Sequence, residues 1–432
     1  METKARIEKH YHPLVKETIY QSKTDNGLDI YVLPRKNFNK TYAIYAVNYG
    51  SIDNYYRKTD GEVKKVPDGI AHFLEHKLFE KKDGNIFNDF SDLGASANAF
   101  TTFGHTAYLF SATENFYESL DLLLNFVHEP YFTKENVEKE QGIIDQEISM
   151  YRDDPDWVVF FNLLEGIYHS HPVKTNIAGT ESEIKRITPD LLYECHKTFY
   201  HPSNMVLFMI GNLEPEKSIE HVSNIINKKH FEEFDLEERI VPKEPESVFK
   251  SKVSKKLNVS KPRVYLGIKE QLASNSYPKL YDEVVTDLLL ELIFGEGSKL
   301  YQELYDKQLI DNSFHKSYAY GRGFGFTTIG GSTNDPDKLI HKLEESIRNT
   351  AKEGIKKQDF IRVRNKLMGA YLKGFNSLEY LSNTFLNLYF AQDFLFDYSD
   401  IISKVSIDEL QDRLINDLLN ESKTASYLYP NN

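Results

Sequence analysis

The chain has 432 residues, 52 Lys+Arg against 65 Asp+Glu, a net charge of −13, one Cys, one Trp and 28 Tyr plus 28 Phe. At roughly 100–200 residues per domain this is material for two to four cores, and 40% hydrophobic with 27% charged residues excludes wholesale disorder. The acidic balance argues against nucleic acid as a partner, because binding it needs a basic face. The lone Cys195 excludes an intramolecular disulfide and any multi-cysteine metal site; it reads as a packed small hydrophobe.

The polar stretch Met1–Asp25 lacks the apolar segment of a signal peptide, and no run of about 18 apolar residues occurs, so a cytoplasmic setting without membrane association is expected. Leu28–Leu33 alternates after the Asn26-Gly27 turn and predicts a strand, as does Thr41–Tyr49. Pro67-Asp68-Gly69 opens a helix over Ile70–Glu80, with Ile70, Phe73, Leu74 and Leu78 at helical spacing. Ala97–Phe103 and Thr106–Ala112 read as paired strands, Tyr117–Val127 as a helix ended by Pro130, and Thr133 to about Arg152 as a long helix. Met205–Ile210 is a strand. From Phe231 to Ser260 an acidic stretch meets Pro242 and Pro245 and then a basic one, without apolar period, which predicts a linker.

Beyond it the order of elements returns about 220 residues later: strand Phe324–Gly331, helix Asp335–Thr350, and a long helix from Lys356. The expected division is 1–232, a linker at 233–260, and 261–432 as a second copy. That copy lacks the histidine-bearing helix.

His72-Phe73-Leu74-Glu75-His76 carries the chemistry. Residues four apart share a helix face, so both imidazoles can reach one ion, with the Glu75 carboxylate beside it. A metal held this way acidifies water, and a nearby carboxylate can take the proton. A third ligand is needed. In the later helix Glu140 and Glu147 lie two turns apart on one face, flanked by Ile143 and Ile144 with Val137, Ile148 and Tyr151 nearby on the same side. Acids on such a face are costly unless paired or metal-bound; a solvent-facing pair is the bland alternative. His169-Ser170-His171 and His10-Tyr11-His12 lack a third donor and read as surface histidines. Gly295-Glu296-Gly297-Ser298-Lys299 lacks phosphate-loop spacing and reads as a loop before a helix.

His72-x-x-Glu75-His76 with Glu140 and Glu147 downstream resembles the pitrilysin/insulinase-like zinc peptidases, whose motif inverts H-E-x-x-H. Gly94–Thr101 resembles that family's Asn-Ala strand, and Phe199–Met205 through Gly211 its Tyr-x-Pro-x-Asn-Met segment. The similarity is strongest over Gly27–Asn212, and the length suits a bacterial processing-protease branch. The resemblance implies an α+β fold of two homologous α/β-sandwich halves, each an antiparallel-rich sheet packed by helices, together half of a clamshell. It implies one Zn2+ per chain on His72, His76 and Glu147, with Glu75 as general base and Glu140 supporting the ligands. It also implies a substrate-binding strand edge at Ala97, Asn98, Ala99 and Phe100.

The match breaks in the second half. Where relatives carry Leu-Arg-x-x-x-Gly-Leu-Ala-Tyr, this chain has Leu304 to Asn312, with Tyr305 for the Arg and Asn312 for the Tyr. The expected function is therefore a zinc endopeptidase acting on peptides or unfolded segments in an enclosed chamber, paired with a homologous subunit that supplies Arg and Tyr; a homodimer is the other arrangement. Arg322 is a candidate substitute within the chain. The competing readings are a non-catalytic scaffold of the same fold and a peptide-binding protein with structural zinc.

Overall fold

Residues 6–82, 84–272 and 279–431 are described by a computed structural model. Four strands come first, β1 (Glu8–His12), β2 (Glu17–Lys23), β3 (Asp29–Pro34) and β4 (Thr41–Val47), so the two strands read near 28–33 and 41–49 form as expected. Three later strands join them, β5 (Ser96–Thr101), β6 (Thr106–Ala112) and β7 (Met205–Gly211). They make one sheet in the order β1-β2-β3-β7-β4-β6-β5, antiparallel except for the β3–β7 pair. Every residue of β4 and of β7 is buried, as in strands covered on both faces. Each large side chain so removed from water contributes about 1.5–3 kcal/mol before entropy is counted. Helix α1 (Ile70–Leu78) packs on β5 and β6, and α2 (Phe116–Phe126) on β4 and β6. The long helix α3 (Lys134–Asp153) follows, one residue off the expected bounds at each end.

The second sheet has strands β8 (Lys252–Leu257), β9 (Arg263–Lys269), β10 (His315–Gly321), β11 (Phe324–Ser332) and β12 (Lys423–Pro430), in the order β8-β12-β9-β11-β10. Only β8–β12 is parallel. Five strands of the first sheet, β3-β7-β4-β6-β5, have the same chain order, directions and neighbours, with each counterpart about 220 residues further on. The halves are homologous in topology, and the fold is the mixed α/β architecture expected.

The compact units nevertheless interleave in sequence. One comprises 1–146, 177–240 and 374–390, and the other 147–176, 241–373 and 391–432. This differs from the division drawn at 232 and 260, because helices are exchanged. Helix α4 (Pro155–Ile167) packs on β8, β9 and β12 of the second sheet. The approach is close: a Cβ on Gly166 would sit 2.5 Å from Thr424 Cγ2, and one on Gly267 2.7 Å from Ile167 Cδ1. Conversely, helix Leu378–Phe390 packs on β4 and β7, with Phe385 stacked on Phe208 at 4.3 Å and Tyr389 Oη donating to Asp29 Oδ2 at 2.8 Å.

The expected linker is largely tied down. It contains β8, an edge strand whose lysines point to solvent and so hide its period. Arg239 pairs with buried Asp53 at 3.2 Å in the first unit. Glu244 accepts from Lys269 Nζ at 2.9 Å and from the backbone N–H of His169 at 3.1 Å in the second. Two histidines expected at the surface are buried, His12 and His171; His171 faces Arg322 O at 2.9 Å and takes the Val173 N–H on its other nitrogen. Among the described residues, no helix is long and apolar enough to cross a membrane.

Burial pushes the His196 imidazole down to about 4, even though its Nε2 lies 2.8 Å from Val127 O. A folded pKa below the unfolded one means the unfolded chain takes up the proton first, so stability is lost as pH falls from about 6.5 towards 4. In His196→Gln the drop in melting temperature between pH 7 and pH 5 should shrink, by the equivalent of about 1.4 kcal/mol per pH unit. An equal drop in both proteins would contradict this.

Candidate metal centre

Helix α1 begins where two glycines cross. Gly69 (φ +87°) and Gly179 (φ +79°) approach so closely that a Cβ on either would lie 2.4 Å from a backbone oxygen, Ala178 O or Asp68 O. Other residues would be strained there on both counts, and the contact fixes the start of the helix. Ile70, Phe73, Leu74 and Leu78 bury one face as expected, but His72, Glu75 and Lys77 are buried as well. The polar face therefore lies against protein rather than solvent.

His72 and His76 present their rings to each other at 4.5 Å between centroids. From α3, Glu140 is buried and Glu147 half-buried. One donor atom from each of His72, His76 and Glu147 lies within 4.8 Å of the others. Glu140 and Glu147 both lie on α3, two turns apart. Burial, and then the neighbouring His76, push the His72 imidazole down to about 3. That keeps it neutral, the form that binds metal. Two imidazole nitrogens and one carboxylate oxygen are a zinc donor set with a position left over for water. The residues fit the ion.

The supporting contacts are specific. His76 Nδ1 is 3.0 Å from Glu140 Oε1, which can only accept, so the neutral ring carries its proton on Nδ1 and its lone pair on Nε2. Tyr151 Oη donates to Glu147 Oε1 at 2.5 Å, one helical turn away. Thr101 Oγ1 donates to Glu75 Oε2 at 2.7 Å. Lys77 is fully buried, bonded to Glu80 and 3.8 Å from Glu140 Oε2. Sequence reading missed Thr101 and Lys77; the one available signal was the i,i+3 spacing of Lys77 and Glu80.

Ala97, Asn98, Ala99 and Phe100 lie on β5, the last strand of the sheet, which pairs with β6 on one side. Asn98 is exposed and its Oδ1 accepts from the Ala99 N–H at 2.9 Å. The Phe199–Met205 segment serves packing. Phe199 stacks on Tyr49 at 3.8 Å, Tyr200 Oη meets Tyr108 Oη at 2.9 Å, and Asn204 Nδ2 donates to Phe199 O at 2.8 Å. In the second half, helix α5 (Leu280–Phe294) stands between β9 and β10 in chain order as α1 stands between β4 and β5; it carries Glu283, Asp287 and Glu291 and no histidine. Tyr305 is 49% exposed on helix Lys299–Asp306, whose N-cap is Ser298, so the Gly295–Lys299 stretch does precede a helix.

Two family patterns match the chain: Insulinase (Peptidase family M16) over residues 62–181, and Peptidase M16 inactive domain over 186–367. The chain is 44% identical over 418 residues to YmfH of Bacillus subtilis (strain 168), named as an uncharacterized zinc protease, covering 96% of this chain and 97% of that one. It superposes with a TM-score of 0.91 and 34% identity on a putative M16-like peptidase from Alicyclobacillus acidocaldarius, covering 100% and 99% of the two chains. Pitrilysin shares the fold at a TM-score of 0.75 and 16% identity, over 99% of this chain and 46% of the pitrilysin chain.

Zinc affinity tests the centre directly. His76→Gln or Glu147→Gln should abolish binding of a single zinc ion, read by competition with a chromophoric chelator. Glu140→Gln should retain zinc with about 10–100-fold lower affinity. Wild-type affinity in Glu140→Gln would remove that residue from the role of holding His76.

Proposed function

The chain belongs to peptidase family M16, the insulinase family, and from that premise we propose that it is a zinc-dependent endopeptidase hydrolysing peptides or unfolded segments. The observation that carries the reading is the set of three donors within 4.8 Å, with Glu75 on the same helix as two of them. In this reading His72, His76 and Glu147 hold one zinc ion. When bound, zinc supplies the charge that polarises a carbonyl and brings the pKa of water towards about 7.

The protein's own groups do the rest. Glu75 takes the proton from the attacking water and carries it to the departing amine nitrogen, as a carboxylate within reach of both can. Glu140 keeps the His76 ring in place through Nδ1. An extended substrate adds to the outer edge of β5 along Ala97–Phe100, where main-chain hydrogen bonds give affinity without demanding a particular side chain.

A second, homologous chain completes the chamber. Tyr305 and Asn312 stand where relatives carry Arg and Tyr, and one lost oxyanion donor costs roughly 3–4 kcal/mol of transition-state stabilisation. The pitrilysin chain, of which this one matches 46%, is about twice as long and suggests the same partition made by two chains. A heterodimer follows if the partner supplies the Arg and Tyr; a homodimer does not restore them.

Glu75→Gln should abolish peptide cleavage while zinc content stays at the wild-type level. The wild-type chain should gain activity by about 100-fold or more when mixed with a homologue that carries the Arg and Tyr. Unchanged cleavage in Glu75→Gln would remove the base. Full turnover by the purified chain alone would remove the need for a partner. No cleavage under either condition favours the scaffold reading.

A further inference from the structure

A carboxylate base has two oxygens that differ only through what holds them. Glu75 Oε2 accepts the hydroxyl proton of Thr101 at 2.7 Å. Thr101 Oγ1 also lies 3.2 Å from Thr106 Oγ1, and fully buried Thr106 donates its single proton to Tyr49 O at 2.9 Å. Thr106 thus has no proton left for Thr101 and can only accept from it. The one proton on Thr101 is therefore available to Glu75, and the charged acceptor at the shorter distance takes it.

Thr101 is also held in place more firmly than its edge position suggests. It is the last residue of β5, and the next residues form a tight turn: Thr102 Oγ1 accepts from the backbone N–H of Gly104 at 3.2 Å and of His105 at 3.1 Å. The turn is clamped from the other side by Ser51 N–H donating to Thr102 O at 3.0 Å and Ile52 N–H to Phe103 O at 3.1 Å. Gly50 lies so close that a Cβ there would sit 2.3 Å from Phe103 O. A β-branched side chain on a fixed backbone has few χ1 choices, so the hydroxyl direction is set before substrate arrives.

We infer that Thr101 is a positioning residue for the general base: its hydroxyl anchors Glu75 Oε2 and so fixes the rotation of the carboxylate. This rests on the proposed function and deepens it. The strand edge that receives substrate and the group that orients the base are parts of one strand, which ties the geometry of the bound peptide to that of the base.

The test compares Thr101→Val, Thr101→Ser and Thr106→Val in the full chain with zinc, assayed with the homologous partner if that is needed for turnover. Thr101→Val keeps shape and strand propensity but removes the donor; kcat should fall about tenfold with KM within twofold and zinc affinity at the wild-type value, while the melting temperature falls modestly because buried Glu75 loses its donor. Thr101→Ser should recover most of the loss. Thr106→Val leaves the Tyr49 carbonyl without its donor, so it should lower the melting temperature and leave kcat within twofold. If Thr101→Val loses zinc or its fold, Thr101→Ala against Thr101→Ser carries the comparison. Wild-type kcat in Thr101→Val, or an equal fall of kcat in Thr106→Val, overturns the inference while the peptidase reading stands. Wild type and Glu75→Gln equally inactive would overturn the peptidase reading and this inference with it.

Discussion

The centre depends on polar groups held inside a packed helix. Every residue of α1 except half-buried His76 is buried, His72, Glu75 and Lys77 included. A buried polar group costs free energy unless something answers it. Here the answers come from two other elements: β5 provides Thr101 for Glu75, and α3 provides Glu140 for His76 and for Lys77. The same contacts that make burial tolerable also remove the freedom of each side chain to turn. Pre-organisation is a by-product of solvation by protein rather than by water. Lys77 shows the constraint best, since it has no direct part in the chemistry and is fully buried between two carboxylates.

Duplication gives a control for this view. The second sheet repeats five strands of the first in order and direction, and α5 occupies the place of α1. Yet α5 carries Glu283, Asp287 and Glu291 on successive turns, and burial, reinforced by Glu283, pushes Asp287 up to about 7. Lys316 and Lys366 both pair with Glu291, and Tyr320 donates to Glu283. The scaffold thus tolerates different polar sets, buried and half-buried, at one topological position. What it does with them depends on residue type, not on fold.

Much of this was legible in the sequence. Alternation gave β3, periodicity gave α1, α2 and α3, and the 72–76 spacing with Glu140 and Glu147 named the residues that the fold brings to one place. The misses have physical causes. Helix α4 is apolar over most of its surface, so no amphipathic stripe marks it. Strand β8 carries lysines because it is an edge, and so resembled a linker. Thr101 and Lys77 matter through partners 26 and 63 positions away, a relation that no local pattern encodes. His171 looked like a surface histidine because the acceptor its ring meets, Arg322 O, lies 151 positions away in the chain.

The exchange of helices has a consequence for how such a chain can be made. The face of the first sheet that receives Leu378–Phe390 stays uncovered until that segment has been synthesised, although its own strands are complete at Gly211. A nascent chain therefore exposes apolar surface through the translation of some 170 further residues, a period in which a chaperone has a defined face to shield. The same interleaving means that cutting the gene in the 233–260 region would yield two pieces, each missing a helix that the other holds. Evolution could fuse or separate whole chains of this kind far more easily than it could split one.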